Sequence, residues 1–514
     1  LKVGDLMDVN ELRGRKKIYT DEKSIDHKNV ITVLTDALIT HATNVDQIKY
    51  LMDYEKGIQP ILSRVKEVRP EINIKIVENN ASAITDFKIS YEFGSPITYV
   101  QRSKKQVPET DSDEDDMRIS TLNDMLFEES KVSEDVKLAR DFKICGVGYR
   151  MIKAKKKIIG KSVFDIFTLN PLTTFVVYSN DIYQRPMLAV TYCEQKNGSK
   201  VYGCYTDDTY FEIDNGTRIV NGVKTEAEAY IANGQGIQNI PSVIPIVEYV
   251  NDYGRSGCFE KCIPQMDAIN TVISDCANDV AQHVQNLLWM NNCELKDGQK
   301  LQTNGVIETK SPTGVPVDIK FLESKLDLAG VQSHVDDMRN QVMRISGVPQ
   351  RQENSGGGST GSAMNLSSGW QFAETMALNS ESIFEKSERQ SIRIMLEIIK
   401  KSTDIPEEYL TITQLSVSDI LIRFSRNKIY DIATKSNALS TLLKSGIDGK
   451  HVIETVSLFT DPQSVWNDSK ELIEAIQKAI TEKPSNQPTV NNADDDKSMA
   501  DASDQPQKSV FSSI

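Results

Sequence analysis

Ile263-Pro264-Gln265-Met266-Asp267-Ala268-Ile269-Asn270-Thr271-Val272-Ile273-Ser274-Asp275-Cys276-Ala277-Asn278-Asp279-Val280 is the stretch that decides the fold. Met266, Ile269, Ile273, Cys276, Val280, His283 and Leu287 step by three and four residues, a heptad-like seam that predicts one helix over about 258–290. At 1.5 Å per residue such a helix is roughly 45–50 Å long. Pro264 falls near its first turn, where a missing N–H costs least. Leu328, Val331, Val335, Met338, Val342 and Ile345 repeat the spacing and predict a second helix. Between the two, 292–326 carries turn and strand signals (Asp297-Gly298, Asn304-Gly305, Ser311-Pro312, Val317-Asp318-Ile319-Lys320-Phe321), so a small αβ module is expected between two long helices.

Outward from this pair, the chain alternates in texture. Residues 347–361 are too polar and glycine-rich to pack, and they feed a predicted helix over about 362–402 with Gly369 as a kink. Asp419-Ile420-Leu421-Ile422-Arg423-Phe424 reads as a strand, followed by short helices to about 480. On the N-terminal side, 142–250 is β-rich, and Asn197-Gly198, Asn215-Gly216 and Asn221-Gly222 fall between its runs, which predicts an antiparallel meander. Residues 25–70 read as helical, with a break capped at Asn44-Val45-Asp46, and Ile84-Thr85-Asp86-Phe87-Lys88-Ile89 as extended chain. The acidic run from Glu109 to Asp116 reads as a solvated loop, and 482–514, proline-bearing with Asp494-Asp495-Asp496, as disordered.

The chain has 514 residues, 59 basic against 73 acidic, a net charge of −14, with 39% hydrophobic residues. That length is a prior for about three domains with real cores, and the acidic balance argues against a protein that coats nucleic acid by charge. The seven cysteines are scattered without CxxC or Cys/His spacing, so free thiols are expected in a reducing compartment and no zinc site. No stretch approaches a membrane span, and the first residues lack a signal-peptide core, so use in a cytoplasm is expected.

No motif yields a catalytic constellation. Gly357-Gly358-Ser359-Thr360-Gly361 spells GxSxG, but the nucleophile elbow needs a strand before the serine, and Gln352-Glu353-Asn354-Ser355-Gly356 offers none. The P-loop ending is absent. Asp111, Asp113 and Asp115 start an EF-hand-like spacing that fails at Asp116 and Leu122, where glycine and glutamate are required. His283 and His334 sit on or beside the seams without an HExxH or ExxH pattern, and the lysines at 153 and 155–157 read as a charged hairpin tip. No catalytic residue, cofactor or metal is assigned.

A family resemblance does emerge. Phe259-Glu260 after Asn251-Asp252-Tyr253-Gly254-Arg255, then Ile263, Asp267-Ala268-Ile269-Asn270, Ser274 and Asn278-Asp279, resemble the stem-helix signature of the portal proteins of long-tailed bacteriophages. Tyr91-Glu92-Phe93-Gly94-Ser95-Pro96-Ile97 is similar to the family's early strand-turn, and Gly146-Val147-Gly148-Tyr149 and Leu169-Asn170-Pro171 to its middle sheet. Ser346-Gly347-Val348-Pro349 and Thr360-Gly361-Ser362-Ala363 are similar to its helix-loop-helix after the stem, all in the family's order over about 90–430.

The resemblance implies an α+β portal fold with long stem and wing helices, an antiparallel β-rich wing, a small αβ clip insert and a helical crown. It would divide the chain into wing (1–257), first stem helix (258–291), clip (292–326), second stem helix (327–346), tunnel loop (347–361), wing helix and strand (362–426), crown (427–481) and an acidic tail (482–514). It implies a homo-oligomeric ring of twelve subunits at one capsid vertex of the virion, assembled in the host cytoplasm, through which double-stranded DNA is packaged and later ejected. The implied partners are the terminase large subunit, which would supply ATP cleavage, the major capsid and scaffolding proteins, and head-completion adaptors, with no membrane. Gln350, Arg351, Gln352, Asn354, Ser355, Gly356 and Gly357 would form the DNA-facing tunnel loop, touching DNA without reading sequence. Met266, Ile269, Ile273, Val280, Leu287, Val335, Met338 and Val342 would form the stem oligomer seam, since a rotational contact closes into a ring. Two other readings remain open. One is a non-viral oligomeric helical scaffold; the other is an enzyme, either the GxSxG hydrolase or a site around Asp165, Tyr192 and Asp207.

Overall fold

The computed structural model describes residues 14–102, 112–284, 328–350, 369–402 and 407–424 with gaps of one or two residues, strand segments within 288–321, and parts of 426–475. The chain is a mixture of helix and sheet, in the α+β class, and forms two compact units, Leu1–Asn427 and Lys428–Ile514.

In the first unit, strands β5 (Thr174–Ser179), β6 (Pro186–Glu194), β7 (Lys200–Tyr205) and β8 (Thr209–Asp214) form an antiparallel meander. The short β1 (Ile18–Thr20) adds to it in parallel on β5. Alternation sorts its residues. Phe175, Val177, Leu188, Val190, Cys204, Phe211 and Ile213 face helix α1 (Val30–Glu55) and its Val30, Val33, Leu34 and Ala37, whereas Val176 and Ala189 belong to a second core. Helix α1 runs unbroken through Asn44-Val45-Asp46, against the expected break. Asn44 is not a cap: its side chain accepts from the Lys16 N–H and donates to the Lys16 carbonyl, both at 2.8 Å, and so fastens the chain that leads into β1.

Two further expectations are corrected. Residues 84–89 lie inside helix α2 (Asn80–Phe93) and are not extended. The buried residues Ala81, Ile84, Thr85, Lys88, Ile89, Glu92 and Phe93 have helical spacing, but two are charged, with Glu92 paired to Lys143 at 2.6 Å. The acidic run is not a loop throughout, because helix α3 (Ser112–Glu128) starts within it.

A three-stranded sheet, β13 (Ile246–Val250), β3 (Val147–Ala154) and β4 (Phe164–Leu169), packs between α4 (Lys131–Cys145) and the 32-residue α7 (Trp370–Lys401). At their junction lies a fully buried ionic cluster. Glu388 of α7 accepts from Arg150 at 2.9 Å, from Tyr249 at 2.7 Å and from Tyr99 at 2.8 Å, with Lys131 at 3.1 Å, and Arg150 also pairs with Asp135. Two cations and two carboxylates balance, which lets them stay charged in the core. Gly369, expected as a kink, stands directly before the first turn of α7 with φ +84°, and 362–368 lie outside the described residues. The expected strand near 420 is β18 (Ile420–Arg423), antiparallel to β2 (Thr98–Gln101).

The seam stretches form α5 (Ile263–Val284) and α6 (Leu328–Ser346). The first is shorter than expected: after 285–287, outside the described residues, Leu288–Asn291 is strand β14, paired with β17 (Asp318–Phe321). A second small ladder joins β15 (Glu294–Leu295) and β16 (Thr309–Lys310). Between 288 and 321 the described residues are all strand, and any helix expected of the insert lies outside them. In the second unit, α8 (Ile432–Lys444) and α9 (Gly449–Val456) pack together, and Val452, Ile453 and Trp466 are buried.

Candidate functional site

The α5–α6 pair and the loop after it are the elements the sequence singles out. Met266 and Ile269 on α5 and Val335 and Val342 on α6 are buried in the core that also holds Ile48, Leu51 and Tyr54 of α1. Ile273 and Met338 are partly buried against the same core, Val280 is 45% exposed, and Leu287 lies outside the described residues. The inner seam residues therefore already have partners within one chain, and Val280, Leu328 and Ile345 remain for contacts outside it.

Beside the seam runs a polar stripe on α5. Asn270, Ser274 and Asn278, all buried, bind the backbone of 74–78. Asn278 accepts from the Ile74 N–H at 2.6 Å and donates to the Ile74 carbonyl at 3.2 Å. Ser274 accepts from the Ile76 N–H at 2.9 Å, and Asn270 from the Glu78 N–H at 2.8 Å. The match is geometric: four helical residues rise about 6 Å, and two residues of extended chain advance about 6.6 Å. Arg339 of α6 clamps the same segment, donating to both oxygens of Glu78 at 2.8 and 2.5 Å, and these hydrogen bonds hold the Glu78 carboxyl below its usual range. One extended segment thus ties both helices together. The sequence showed Asn270, Ser274 and Asn278 as signature residues without a role; their four-residue spacing next to an apolar seam was the available signal.

At the foot of α5, the buried Glu260 accepts from Arg15 at 2.7 Å and from the N–H groups of Gly257 at 2.7 Å and Gly14 at 3.2 Å. Phe259 stacks on Tyr54 at 6.0 Å, and the Tyr54 hydroxyl donates to Asp267 at 2.8 Å. Burial raises the Asp267 carboxyl above its usual range. Nearby, Glu248 accepts two bonds from Arg255 at 2.6 and 2.8 Å and one each from Tyr149 and Tyr178. Burial alone would raise the Glu248 carboxyl, but Arg255 and the two hydroxyls outweigh it and the net shift is downward.

Helix α6 ends in a Schellman motif. Gly347 has φ +72°, its N–H bonds the Arg344 carbonyl, and the Val348 N–H bonds the Met343 carbonyl. The chain then turns toward α7, and a Cβ on Gly347 would lie 2.2 Å from the Met376 sulfur. Gln350 donates to the Asn340 carbonyl at 2.8 Å, which holds the start of the loop on α6. Arg351, Gln352, Asn354, Ser355, Gly356 and Gly357 lie outside the described residues, as does the GxSxG stretch. Among the described residues no group of three or more His, Cys, Asp or Glu side chains could hold a metal, and no helix is long and apolar enough to cross a membrane. Asp165 and Tyr192, named for the alternative enzyme site, lie on separate sheets.

The sequence model for phage portal proteins of the SPP1 Gp6-like type matches residues 37–487. The chain belongs to this family. A search of curated proteins gives no match. Portal proteins are structural components of the phage capsid rather than enzymes, and the match spans the α5–α6 pair, the 74–78 segment bound to it and α7.

Proposed function

We propose that this portal protein assembles into a ring, of twelve subunits, at one capsid vertex, and that DNA enters through the ring during packaging and leaves through it on ejection. The family match over 37–487 carries the proposal. In this reading α5 and α6 are the stem, 292–326 the clip that meets the terminase large subunit and later the head-completion adaptors, and 427–481 the crown, while the major capsid and scaffolding proteins surround the ring. The 347–361 loop faces DNA through Gln350, Arg351, Gln352, Asn354, Ser355, Gly356 and Gly357. The seam residues left accessible, Val280, Leu328 and Ile345, contribute to the contact between neighbouring copies.

Two features support it. The stem is tied by Glu78, Asn270, Ser274, Asn278 and Arg339 into a unit that does not rely on a neighbour for its polar contacts. The chain is acidic, at −14, and an acidic wall lets a polyanion slide where many cations would hold its phosphates. Deleting 353–359 tests the reading: rings still form, and packaged DNA measured by nuclease protection falls sharply. Packaging at the wild-type level would contradict the loop's role.

A further inference from the structure

An open cavity of about 560 Å³ lies between α7 and the turn at 416–418. One face of α7 supplies Arg389, Arg393, Leu396, Glu397 and Lys400, the chain just after β2 supplies Arg102, and Ser416, Val417 and Ser418 close the other side. Four cations line it against a single carboxylate, in a chain that carries a net −14. Arg389 is paired with Glu385 and Lys400 with Glu397, while Arg102 and Arg393 have no carboxylate within ion-pair reach among the described residues. The backbone that presents Arg102 is fixed, because its N–H bonds the Asp419 carbonyl at 2.8 Å.

On the side facing α7, Ser416 and Ser418 add two exposed hydroxyls, and the Ser418 hydroxyl donates to that of Ser416 at 3.2 Å. Arg389, Arg393 and Lys400 are staggered over eleven residues of helix, about 16 Å, and a duplex along that length carries about ten phosphates. That spread suits a polyanion better than a single small ion.

We propose that this groove binds the phosphodiester backbone of double-stranded DNA, at a site that does not include the 347–361 loop. The choice of DNA among polyanions rests on the portal reading; the anion site itself does not. Contact is through phosphates and is independent of sequence.

The test is the affinity of the purified full-length protein for a short labelled duplex across a salt series, for wild type and for the triple variant Arg102→Gln, Arg393→Gln, Lys400→Gln. Each lost phosphate contact removes about 0.9 from the slope of log K against log salt, so the variant's slope falls by about 2 to 3 and its affinity at low salt drops at least about tenfold. Arg393→Gln alone, at an exposed position, should remove about 0.9 and serves if the triple variant folds poorly. Equal slopes for wild type and variant would overturn the proposal. Displacement of the duplex by poly-glutamate or by tripolyphosphate at equal charge would overturn the choice of DNA in favour of an acidic peptide or a free polyphosphate. Native mass of the same preparation separates the two readings. A chain without rings contradicts the portal reading and leaves the slopes interpretable, whereas intact rings with unchanged slopes contradict only the groove.

Discussion

Gly146 ends α4 with φ +80°, its N–H bonded to the Phe142 carbonyl at 2.9 Å, and a Cβ there would lie 2.1 Å from the Arg255 carbonyl oxygen. The Gly146-Val147-Gly148-Tyr149 motif is therefore a backbone requirement at its first position and a hydroxyl partner for Glu248 at its last. Gly146→Ala should destabilise the fold by about 2–4 kcal/mol, through strain at positive φ and the displaced Arg255 turn, measured by chemical denaturation; an unchanged midpoint would refute this. His41 is buried against Phe175, 4.4 Å between ring centroids, with its Nε2 3.2 Å from the Leu172 carbonyl, and burial pushes its pKa down to about 4. The folded state keeps this ring neutral while the unfolded chain protonates near pH 6.5, so the unfolded state binds the extra proton between those values. Stability should therefore fall as pH drops from about 6.5 to about 4, by up to about 3 kcal/mol. His41→Phe should remove that part of the pH dependence, and the Leu172 carbonyl would keep its bond from Tyr192 at 3.0 Å. A variant with the same pH slope as wild type would show that other groups carry it.

At the scale of elements, the extended segment 72–78 is held by side chains rather than by a neighbouring strand. Asn278→Ala should leave the Ile74 N–H and carbonyl without their partners, at a cost of about 1–3 kcal/mol. Amide hydrogen exchange at Ile74 should accelerate more than at Glu78, which keeps Asn270; uniform exchange would mean that the rungs are not separable. Such a segment leaves little trace in a sequence, because its order is encoded three rungs away on α5. What could be read was whatever follows from regular periodicity: the two seams, the meander with its Asn-Gly turn at Gly198, where φ is +78°, and the strand at 420–423. What could not be read came from polar residues with long-range partners. Lys88 and Glu92 on the inner face of α2 hid its helical period, and Asn44 was spent on the Lys16 backbone rather than on a cap. Of the candidate site, the helix pair was visible as a seam, but that Met266, Ile269, Val335 and Val342 bury within one chain depends on α1 and α2, far away in sequence.

For the whole molecule, membership of the portal family and the ring that follows from it are the central claim. A single chain leaves large apolar side chains exposed on the α5–α6 pair and in the segment between α1 and α2, including Val280 at 45%, Val65 at 83% and Ile58 at 60%. Negative-stain imaging of the purified full-length protein, with native mass to count subunits, tests the claim most directly. Closed rings of twelve with a central channel wide enough for a DNA duplex are expected; a compact monomer or dimer that persists at high protein concentration would contradict the ring.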